Sequence, residues 1–333
     1  MNTTTRMTAC RICGSGDAAE WLNPREMMFG RRERFAYFRC ADCGCLQLAE
    51  VPVNLAEHYP NDYYSFQVLP DTPVSWQGEQ KRRWAFPYMT RHKLGWGSLW
   101  GGLLCCFRNG PRFPDWLRFL AHPITADGGI LDVGCGSGQS LLELRDCGFT
   151  HLRGVDPFIP ESIAYYAGDV RVKKCRLQDV QGKFSLITFH HVFEHLENPL
   201  AALGEARQLL AEGGQILIRI PLSDSVTAQK YGENWVQLDA PRHITLHTRK
   251  SMELAAQKKG MKVIRVTYDS TAFQFWGSEQ YLLDIPLLDL RSQHHKSSNG
   301  IFSEEKIKSF AEEAGRLNRQ EAGDQAIFVL MVA

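Results

Sequence analysis

The chain has 333 residues, of which 44% are hydrophobic and 23% are charged, and its formal net charge is +1. This length can bury one sizeable core and a smaller satellite domain. Near neutrality gives no electrostatic argument for a nucleic-acid partner, because phosphate binding usually accompanies a clear basic excess. Residues 1–9 lack the apolar stretch of a signal peptide, and ten cysteines without one favour a reducing compartment, so we expect a cytoplasmic protein.

Two cysteine pairs lie near the N-terminus, Cys10 with Cys13 and Cys40 with Cys43, with 26 residues between the pairs. Each Cys-x-x-Cys is followed by a glycine, which lets backbone amides turn toward the thiolates. Four thiolates at this spacing are typical of a closed tetrahedral zinc site with a structural role. A redox function is less favoured, because a redox pair opens a helix after a strand and needs no second pair. We interpret Cys45 as a packing residue.

The segment 94–107 contains fourteen residues without a charge and is flanked by basic side chains. Those flanking residues are Arg82, Arg83, Arg91, Lys93, Arg108 and Arg112. The segment is too short to span a bilayer. It is interpreted as a buried helix or a cover over the substrate pocket, and the alternative is peripheral contact with a membrane surface, which basic flanks and tryptophans favour. A lipid-linked saccharide acceptor would account for such contact.

The segment 130–138 predicts a sharp turn from a strand into a helix over 139–147. Its glycines let the backbone approach a ligand closely, and the helix that follows offers unpaired N–H groups. We therefore expect a cofactor at this loop. The predicted binding residues are Asp132, Gly134, Cys135, Gly136 and Gly138.

Asp156 follows the next predicted strand, 152–155, and lies eighteen positions after Gly138. A carboxylate there can accept hydrogen bonds from both hydroxyls of a ribose. Glycine loops with a downstream acid occur in nicotinamide-binding and S-adenosylmethionine-binding folds. Here the glycines alternate strictly instead of following Gly-x-Gly-x-x-Gly, and Asp132 can meet the ammonium of a methionine moiety, which favours S-adenosylmethionine. Leu177 and His190 are assigned to the same cofactor site.

Strands and helices alternate through the rest of the chain. Predicted strands cover 170–175, 184–190, 215–220, 261–268 and 326–333, and predicted helices run from 199 to 210 and, after the cap Thr248, to 259. Gly213 and Gly214 are expected to end the first of these helices. This alternation predicts a mostly parallel α/β sheet covered on both faces, with the ligand outside the carboxyl ends of the strands.

Three titratable residues follow the strand 184–190. His191, Glu194 and His195 are spaced i, i+3, i+4, so they share a face if this stretch is helical. The pattern His-x-x-Glu-His is also the inverted zinc-protease signature, but that motif needs a long helix and a third ligand. The alternative to a catalytic role is that Glu194 and His195 only anchor the following loop by hydrogen bonds.

The loop from Ile130 to Gly138 resembles the first motif of the class I S-adenosylmethionine-dependent methyltransferases. The resemblance implies a Rossmann-like, mostly parallel seven-stranded sheet whose last two strands are antiparallel. The two-knuckle zinc module, the run 59–66 and the segment 235–244 are similar to methyltransferases that act on sugars, some of them encoded with surface-polysaccharide and deoxysugar pathways. Sugar C-methyltransferases of this layout carry a further C-terminal domain, whereas this sequence ends soon after the predicted strand 326–333, so we expect oxygen as the acceptor atom.

Ubiquinone-pathway O-methyltransferases have a pair similar to Glu194 and His195, with an acid where this chain has His191. That resemblance implies a second, divalent metal at the reaction centre.

A hydroxyl acceptor must lose its proton as it attacks, and histidine suits this task because its ordinary pKa is about 6.5. His195 and His243 are the candidate bases, with Glu194 orienting or polarising the site. His243 lies in a long segment, 221–247, whose mixture of aromatic and charged residues suits a polar ring substrate. Its other candidates are Tyr231, Trp235, Asp239 and Arg242, and each can instead be a solvated loop side chain.

Taken together, the sequence predicts a zinc-binding module at 1–66, a linker or substrate cover at 67–120 and a methyltransferase domain at 121–333. The expected reaction is methyl transfer to a hydroxyl of a small polar acceptor, a sugar or glycan intermediate. The alternative is C- or N-methylation of a deoxysugar or other small molecule. A non-catalytic binding module is disfavoured because Asp132, the glycine loop and Asp156 are intact.

Overall fold

The structure, a computed structural model, describes residues 9–59, 67–68, 75–107, 110–295 and 300–333. The run 60–66 and Arg108, both used above, lie outside the described residues. The N-terminal segment forms three short strands, β1 (Ala18–Leu22), β2 (Tyr37–Cys40) and β3 (Leu46–Leu48). Three helices follow, α1 (Trp76–Trp84), α2 (Phe86–Lys93) and α3 (Leu99–Phe107).

The rest of the chain alternates strands and helices. Its strands are β4 (Ile130–Val133), β5 (Leu152–Val155), β6 (Ile163–Tyr165), β7 (Val170–Lys173), β8 (Phe184–His190), β9 (Leu210–Pro221), β10 (Thr245–Leu246), β11 (Met261–Tyr268) and β12 (Gln325–Val332). Its helices are α4 (Gln139–Asp146), α5 (Pro199–Leu209), α6 (Val226–Tyr231), α7 (Arg249–Lys258), α8 (Phe273–Leu282) and α9 (Glu304–Arg319).

The large sheet has the order β11-β12-β9-β8-β4-β5-β7-β6. Its centre, from β9 to β7, is parallel, and β11, β12 and β9 form the expected antiparallel end. The Rossmann-like α/β prediction is therefore confirmed. The sheet has eight strands instead of seven, because β6 pairs antiparallel with β7 at the other edge. Three residues are too few for an alternating pattern to show in the sequence.

Element boundaries follow local chemistry. The Asn198 side chain accepts a hydrogen bond from the Ala201 N–H and so caps α5. Thr248 caps α7 in the same way, through the Ser251 N–H. The expectation that Gly213 and Gly214 separate helix from strand is wrong. Strand β9 already starts at Leu210 and runs through both glycines, because Leu210 turns to an extended conformation and pairs with Phe184.

The segment 221–247 is a packed layer and not a loop. It contains α6, and its strand β10 pairs with β3, so that the small sheet has the order β1-β2-β3-β10. A hydrophobic core joins this layer to the small sheet and to α8 and α9, two helices that the sequence analysis did not identify. The N-terminal module therefore shares its sheet and its core with the later part of the chain.

Helix α3 is not buried, so the expectation of a buried helix at 94–107 is wrong. Leu99 is 95% exposed, Trp100 69% and Leu103 51%. Among the described residues, no helix is long and apolar enough to cross a membrane.

A buried ion pair fixes the N-terminal module to the segment 221–247. Arg242 and Glu26 are both fully buried, and Arg242 Nη2 donates to Glu26 Oε1 at 3.0 Å. The Glu26 carboxylate also accepts the backbone N–H groups of Met28, Phe29 and Arg31. Removing Glu26 would leave a buried guanidinium and three N–H groups without this acceptor.

We expect Glu26→Ala to lower the free energy of unfolding by about 3 to 5 kcal/mol, because the buried Arg242 charge loses one of its two anionic partners and three buried N–H groups lose their acceptor. Urea denaturation would measure the change. The matched control is Glu20→Ala in the same module, which removes an exposed pair with Arg39 and should cost about 1 kcal/mol or less. Equal effects of the two substitutions would contradict a buried, energetically important pair.

Candidate active site and zinc centre

The glycine loop lies between β4 and α4, at the carboxyl edge of the sheet. Gly134, Gly136 and Gly138 have φ of 67°, 54° and 92°, which residues with a Cβ rarely adopt. A Cβ on Gly134 would lie 2.5 Å from Val192, and one on Gly138 would lie 2.7 Å from Val172. Glycine is required here by sterics. The contact with Val192 also brings the loop against the turn that follows β8.

Asp156 is 5% exposed and closes the loop from the end of β5. Its Oδ2 accepts the N–H of Gly136 at 3.0 Å, and its Oδ1 accepts the N–H of Phe158 at 2.8 Å. Burial raises the pKa of this carboxyl above its ordinary value. Each oxygen retains a second lone pair, which is what two ribose hydroxyls require.

Asp132 is buried at the end of β4 and accepts a hydrogen bond of 2.7 Å from the Thr188 hydroxyl. Burial raises the pKa of Asp132 to about 7. An ammonium group at this position would favour the charged carboxylate, in keeping with the predicted role toward a methionine moiety.

Of the other predicted cofactor residues, Cys135 lies in the glycine loop, whereas His190 and Leu177 lie outside it. Cys135 is part of the loop, and its Sγ lies 3.5 Å from the Gly136 carbonyl oxygen. His190 is partly buried with its ring 4.9 Å from that of Trp116, and desolvation lowers its pKa to about 3. Leu177 packs in a hydrophobic core. The roles of His190 and Leu177 toward the cofactor stay predictions.

The chain after β8 does not form a continuous helix from His191 to His195. Only Phe193–His195 form a single 3-10 turn, and His191 precedes it with φ of 53°. The three titratable groups therefore do not share a helical face. The turn nevertheless brings Nδ1 of His191 to 3.4 Å from Oε1 of Glu194.

His195 and His243 lie together, with ring centroids 4.7 Å apart. Nδ1 of His195 lies 2.8 Å from the Arg242 carbonyl, and Nδ1 of His243 lies 2.7 Å from the Gln237 carbonyl. A carbonyl can only accept, so each Nδ1 carries the hydrogen and each Nε2 presents a lone pair. Burial lowers the pKa of His243 to about 4, which keeps this ring neutral at physiological pH.

Glu194 is fully buried beside these rings, and within the described part of the chain neither carboxylate oxygen has a hydrogen-bond partner. Burial would raise its pKa, but the neighbouring His191, His195 and His243 outweigh burial and lower it to about 2. Ligand atoms of Glu194, His195 and His243 lie within 4.8 Å of one another, a set that can hold a divalent cation.

Two aromatic rings link this cluster to the glycine loop. The Tyr59 hydroxyl lies 3.1 Å from Nδ1 of His195. The ring of Tyr59 is parallel to that of Phe158, with centroids 6.5 Å apart, and Phe158 follows Asp156 closely and is 78% exposed. The cofactor end and the histidine end of the candidate site therefore adjoin.

The remaining predicted residues of 221–247 are mostly structural. Trp235 is 1% exposed and donates its indole N–H to Asp324 at 3.0 Å. The Tyr231 hydroxyl donates to Glu279 at 2.7 Å, and burial raises its pKa. Both side chains support α6 and α8, so the expectation that they contact a ring substrate is not supported by their positions.

Asp239 and Arg242 contact the two histidines, Asp239 through its carboxylate and Arg242 through its backbone carbonyl. Burial would raise the pKa of Asp239, but Arg242 outweighs it and lowers it to about 2. The Asp239 carboxylate also lies 3.8 Å from Nε2 of His243. Sequence reasoning missed two partners of this layer, Glu26 and Tyr37, whose hydroxyl donates to the His243 carbonyl at 2.8 Å. They are more than 200 residues away along the chain, and no local pattern marks them.

The four cysteines of the N-terminal module converge. Their sulfur atoms all lie within 4.8 Å of one another, with Cys10 to Cys43 at 3.5 Å and Cys13 to Cys40 at 3.4 Å. A tetrahedron with zinc–sulfur bonds of about 2.3 Å has edges of about 3.8 Å, so the cluster fits that ion. Hydrogen bonds from the Cys43 thiol and nearby backbone N–H groups lower the pKa of Cys10, which favours the thiolate form that zinc binds. Cys45 instead donates to the Leu246 carbonyl, as expected of a packing residue.

Helix α7 holds both cysteine pairs against the large domain. The Thr248 hydroxyl donates to the Cys43 carbonyl at 2.8 Å, and Lys258 Nζ donates to the Cys13 carbonyl at 3.0 Å. The Gln47 amide donates to Cys10 Sγ at 3.0 Å and so orients a predicted zinc ligand.

Residues 107–266 match a family model described as a methyltransferase domain. The matched residues include the glycine loop, Asp156 and the parallel strands of the large sheet. The match covers just under half of the chain and supports a methyltransferase domain over these residues.

Two relatives are similar over part of the chain. A tRNA U34 carboxymethyltransferase of Alteromonas mediterranea is 24% identical over 193 residues, which cover 51% of this chain and 57% of the relative. A tRNA U34 carboxymethyltransferase of Alcanivorax borkumensis is 30% identical over 114 residues, 31% of this chain and 35% of the relative. The matched regions thus span about half or less of these relatives.

Solved structures show looser likeness. A complex between the Haloferax volcanii Trm112 methyltransferase activator and a methyltransferase matches with a TM-score of 0.42 and 14% identity, covering 77% of this chain and 92% of that one. Phosphoethanolamine N-methyltransferase 2 of Haemonchus contortus matches with a TM-score of 0.39 and 15% identity, covering 78% and 61%. Neither likeness bears on the acceptor.

We expect Asp156→Ala to weaken S-adenosylmethionine binding by about 1 to 3 kcal/mol, roughly 5- to 150-fold in Kd, because two hydrogen bonds to a carboxylate are lost. Calorimetry would measure this, with the exposed Glu161→Ala as the matched control. Unchanged affinity in Asp156→Ala would show that the ribose lies elsewhere. Binding of NAD in place of S-adenosylmethionine would contradict the predicted cofactor itself.

We expect purified protein to carry one zinc ion per chain, and Cys40→Ser to abolish zinc binding and lower the Tm, because the module has little core of its own. Elemental analysis and thermal unfolding would measure both. Cys45→Ser is the matched control, since its hydroxyl can still donate to the Leu246 carbonyl, and it should retain the zinc. A folded, metal-free wild-type protein, or cysteines found as disulfides, would contradict the zinc site.

Proposed function

We propose that this protein transfers a methyl group from S-adenosylmethionine to a hydroxyl of a small polar acceptor, with a sugar or glycan intermediate as the substrate class. The observation that carries the proposal is the pair His195 and His243 at the carboxyl edge of the sheet. Both are held as Nδ1–H tautomers beside a buried carboxylate, which is an arrangement suited to removing a hydroxyl proton.

S-adenosylmethionine supplies a methyl group on a sulfonium, which is already a good leaving group. The protein must align donor and acceptor, exclude water and take up the hydroxyl proton. We assign that proton to Nε2 of His195 because this ring is only partly buried, whereas His243 is 7% exposed. The acceptor oxygen bonds to the methyl carbon as the carbon–sulfur bond breaks, and the charge on Glu194 stabilises the imidazolium that forms.

The ring substrate class rests on the aromatic side chains beside the base. The ring of Tyr59 lies next to His195 and the exposed ring of Phe158 stacks on Tyr59, so both offer apolar faces near the base, and polar groups of the same cluster can hold hydroxyls. The alternative of C- or N-methylation of a deoxysugar or other small molecule uses the same cofactor loop. Product NMR separates these reactions, since methoxyl, carbon-bound and nitrogen-bound methyl groups have different shifts.

A second candidate acceptor is a tRNA nucleoside, which the names of the two relatives favour. The formal net charge of +1 gives no support to a polyanionic substrate. Incubation with labelled S-adenosylmethionine and either bulk tRNA or nucleotide sugars would distinguish the two, since label would enter only the true acceptor.

We expect His195→Ala to lower kcat by about 10²- to 10⁴-fold with cofactor affinity and Tm intact, because it removes the general base. We expect His243→Ala to lower kcat less and to displace the pH profile, because it positions the base. Activity at several pH values would test both, with the exposed His151→Asn as the matched control. Near wild-type turnover in both variants would place the base elsewhere, with His191 as the next candidate.

A divalent cation at Glu194, His195 and His243 is the competing role for this cluster. Activity would then fall when loosely bound divalent ion is removed while the Cys₄ zinc stays in place, and His191→Ala should mimic the loss. If neither removal of divalent ion nor His191→Ala changes the activity, the base acts without a metal and Glu194 is its charge partner.

A further inference from the structure

Helix α3 packs against α2 through its smallest residues. A Cβ on Gly101 would lie 2.0 Å from the Tyr88 carbonyl oxygen, and one on Gly102 would lie 3.0 Å from the His92 ring. The glycines therefore allow the two helix backbones to approach closely. Because glycines occupy the face of α3 that contacts α2, the large side chains of α3 lie on the opposite, solvent-exposed face.

The outer face of α3 is apolar. Leu99, Trp100 and Leu103 lie at i, i+1 and i+4, so they occupy one side of the helix, and all three are more than half exposed. Cys106 continues the same side and is also exposed. Adjacent large apolar side chains left in solvent mark an interaction surface rather than ordinary surface variation.

The segment that contains this helix is predominantly basic. Residues 75–118 contain eight Lys and Arg and only two acids, a net of +6, whereas the whole chain has a net charge of +1. Both acids have arginine partners, Glu79 with Arg82 at 2.5 Å and Asp115 with Arg118 at 3.6 Å. The partner of this surface should therefore be anionic.

A cationic cleft adjoins the end of α2. It is lined by Lys93, Pro111, Arg112, Phe113, Asp115 and Arg118. Arg112 and Arg118 are exposed, as is Lys93. Three cations around an open cleft suit phosphate groups, and the exposed leucines nearby along the chain suit the acyl region just beneath them.

We propose that α3 and this cleft bind the surface of an anionic phospholipid bilayer. Leu99, Trp100 and Leu103 enter the interface, and Lys93, Arg112 and Arg118 contact lipid phosphates. A bilayer explains the surface better than RNA does, because exposed leucines cannot stack on bases whereas they gain from burial among acyl chains. The helix lies on the membrane, since it has only nine residues.

Sedimentation of the full chain with vesicles would test this. We expect binding to vesicles of about 30% phosphatidylglycerol in phosphatidylcholine and little binding to phosphatidylcholine alone. The double variant Leu99→Gln, Leu103→Gln should weaken binding by roughly tenfold or more, because apolar burial is lost. Leu290→Gln, at a leucine that is 88% exposed elsewhere, is the matched control and should bind as the wild type does.

Charge is tested separately. Arg112→Glu should reduce binding to anionic vesicles, whereas Lys308→Glu on α9, an exposed site outside this surface, should not. Circular dichroism and Tm confirm that each variant is folded. Wild-type vesicle binding by the leucine variant would overturn the proposal. The proposal would also be overturned if the wild type did not bind vesicles and the leucine variant instead lost binding to tRNA or lost self-association.

Discussion

The buried charge of Arg242 constrains how this molecule is assembled. A guanidinium without solvent must have anionic partners, and the two that it has come from different parts of the chain, Glu26 in the N-terminal module and Asp239 in its own segment. The Arg242 backbone carbonyl in turn accepts from His195. One residue therefore couples the docking of the module to the orientation of the proposed base.

The N-terminal module consequently contributes more than its own stability. Its strand β3 pairs with β10, and the Tyr37 hydroxyl holds the carbonyl of His243. Helix α7 caps the carbonyls of both cysteine pairs from the other side. Because the predicted zinc ligands fix strands β2 and β3, metal binding should set the position of the segment that carries His243. The fold of the module and the position of His243 therefore depend on each other.

The cofactor loop and the histidine cluster are close because of sheet order. Strands β4, β5 and β8 are adjacent and parallel, so the residues that follow them meet at one edge. The absence of a side chain at Gly134 lets Val192 pack against the loop. Glycine at position 134 thus serves the cofactor site and also lets the turn with Glu194 and His195 pack alongside it.

Local patterns in the sequence identified the strands of the central sheet, the glycine loop, Asp156 and the four cysteines. Each depends on near neighbours in the chain: buried apolar runs, caps such as Thr248, and cysteines two residues apart. The same reasoning assigned no helix or strand within 221–247 and missed β6, α8 and α9. Their stability comes from packing against distant elements, which periodicity does not record.

The sequence by itself predicted the α/β fold, the glycine loop with its closing acid and the thiol cluster, because those features rest on short-range spacing and steric necessity at glycine. Only the tertiary structure decided which polar residues share a site. It placed Trp235 and Arg242 in structural roles, brought Tyr59 to His195 and exposed α3 to solvent. Those outcomes depend on contacts between residues far apart in the chain, whose geometry exists only once the two sheets have packed together.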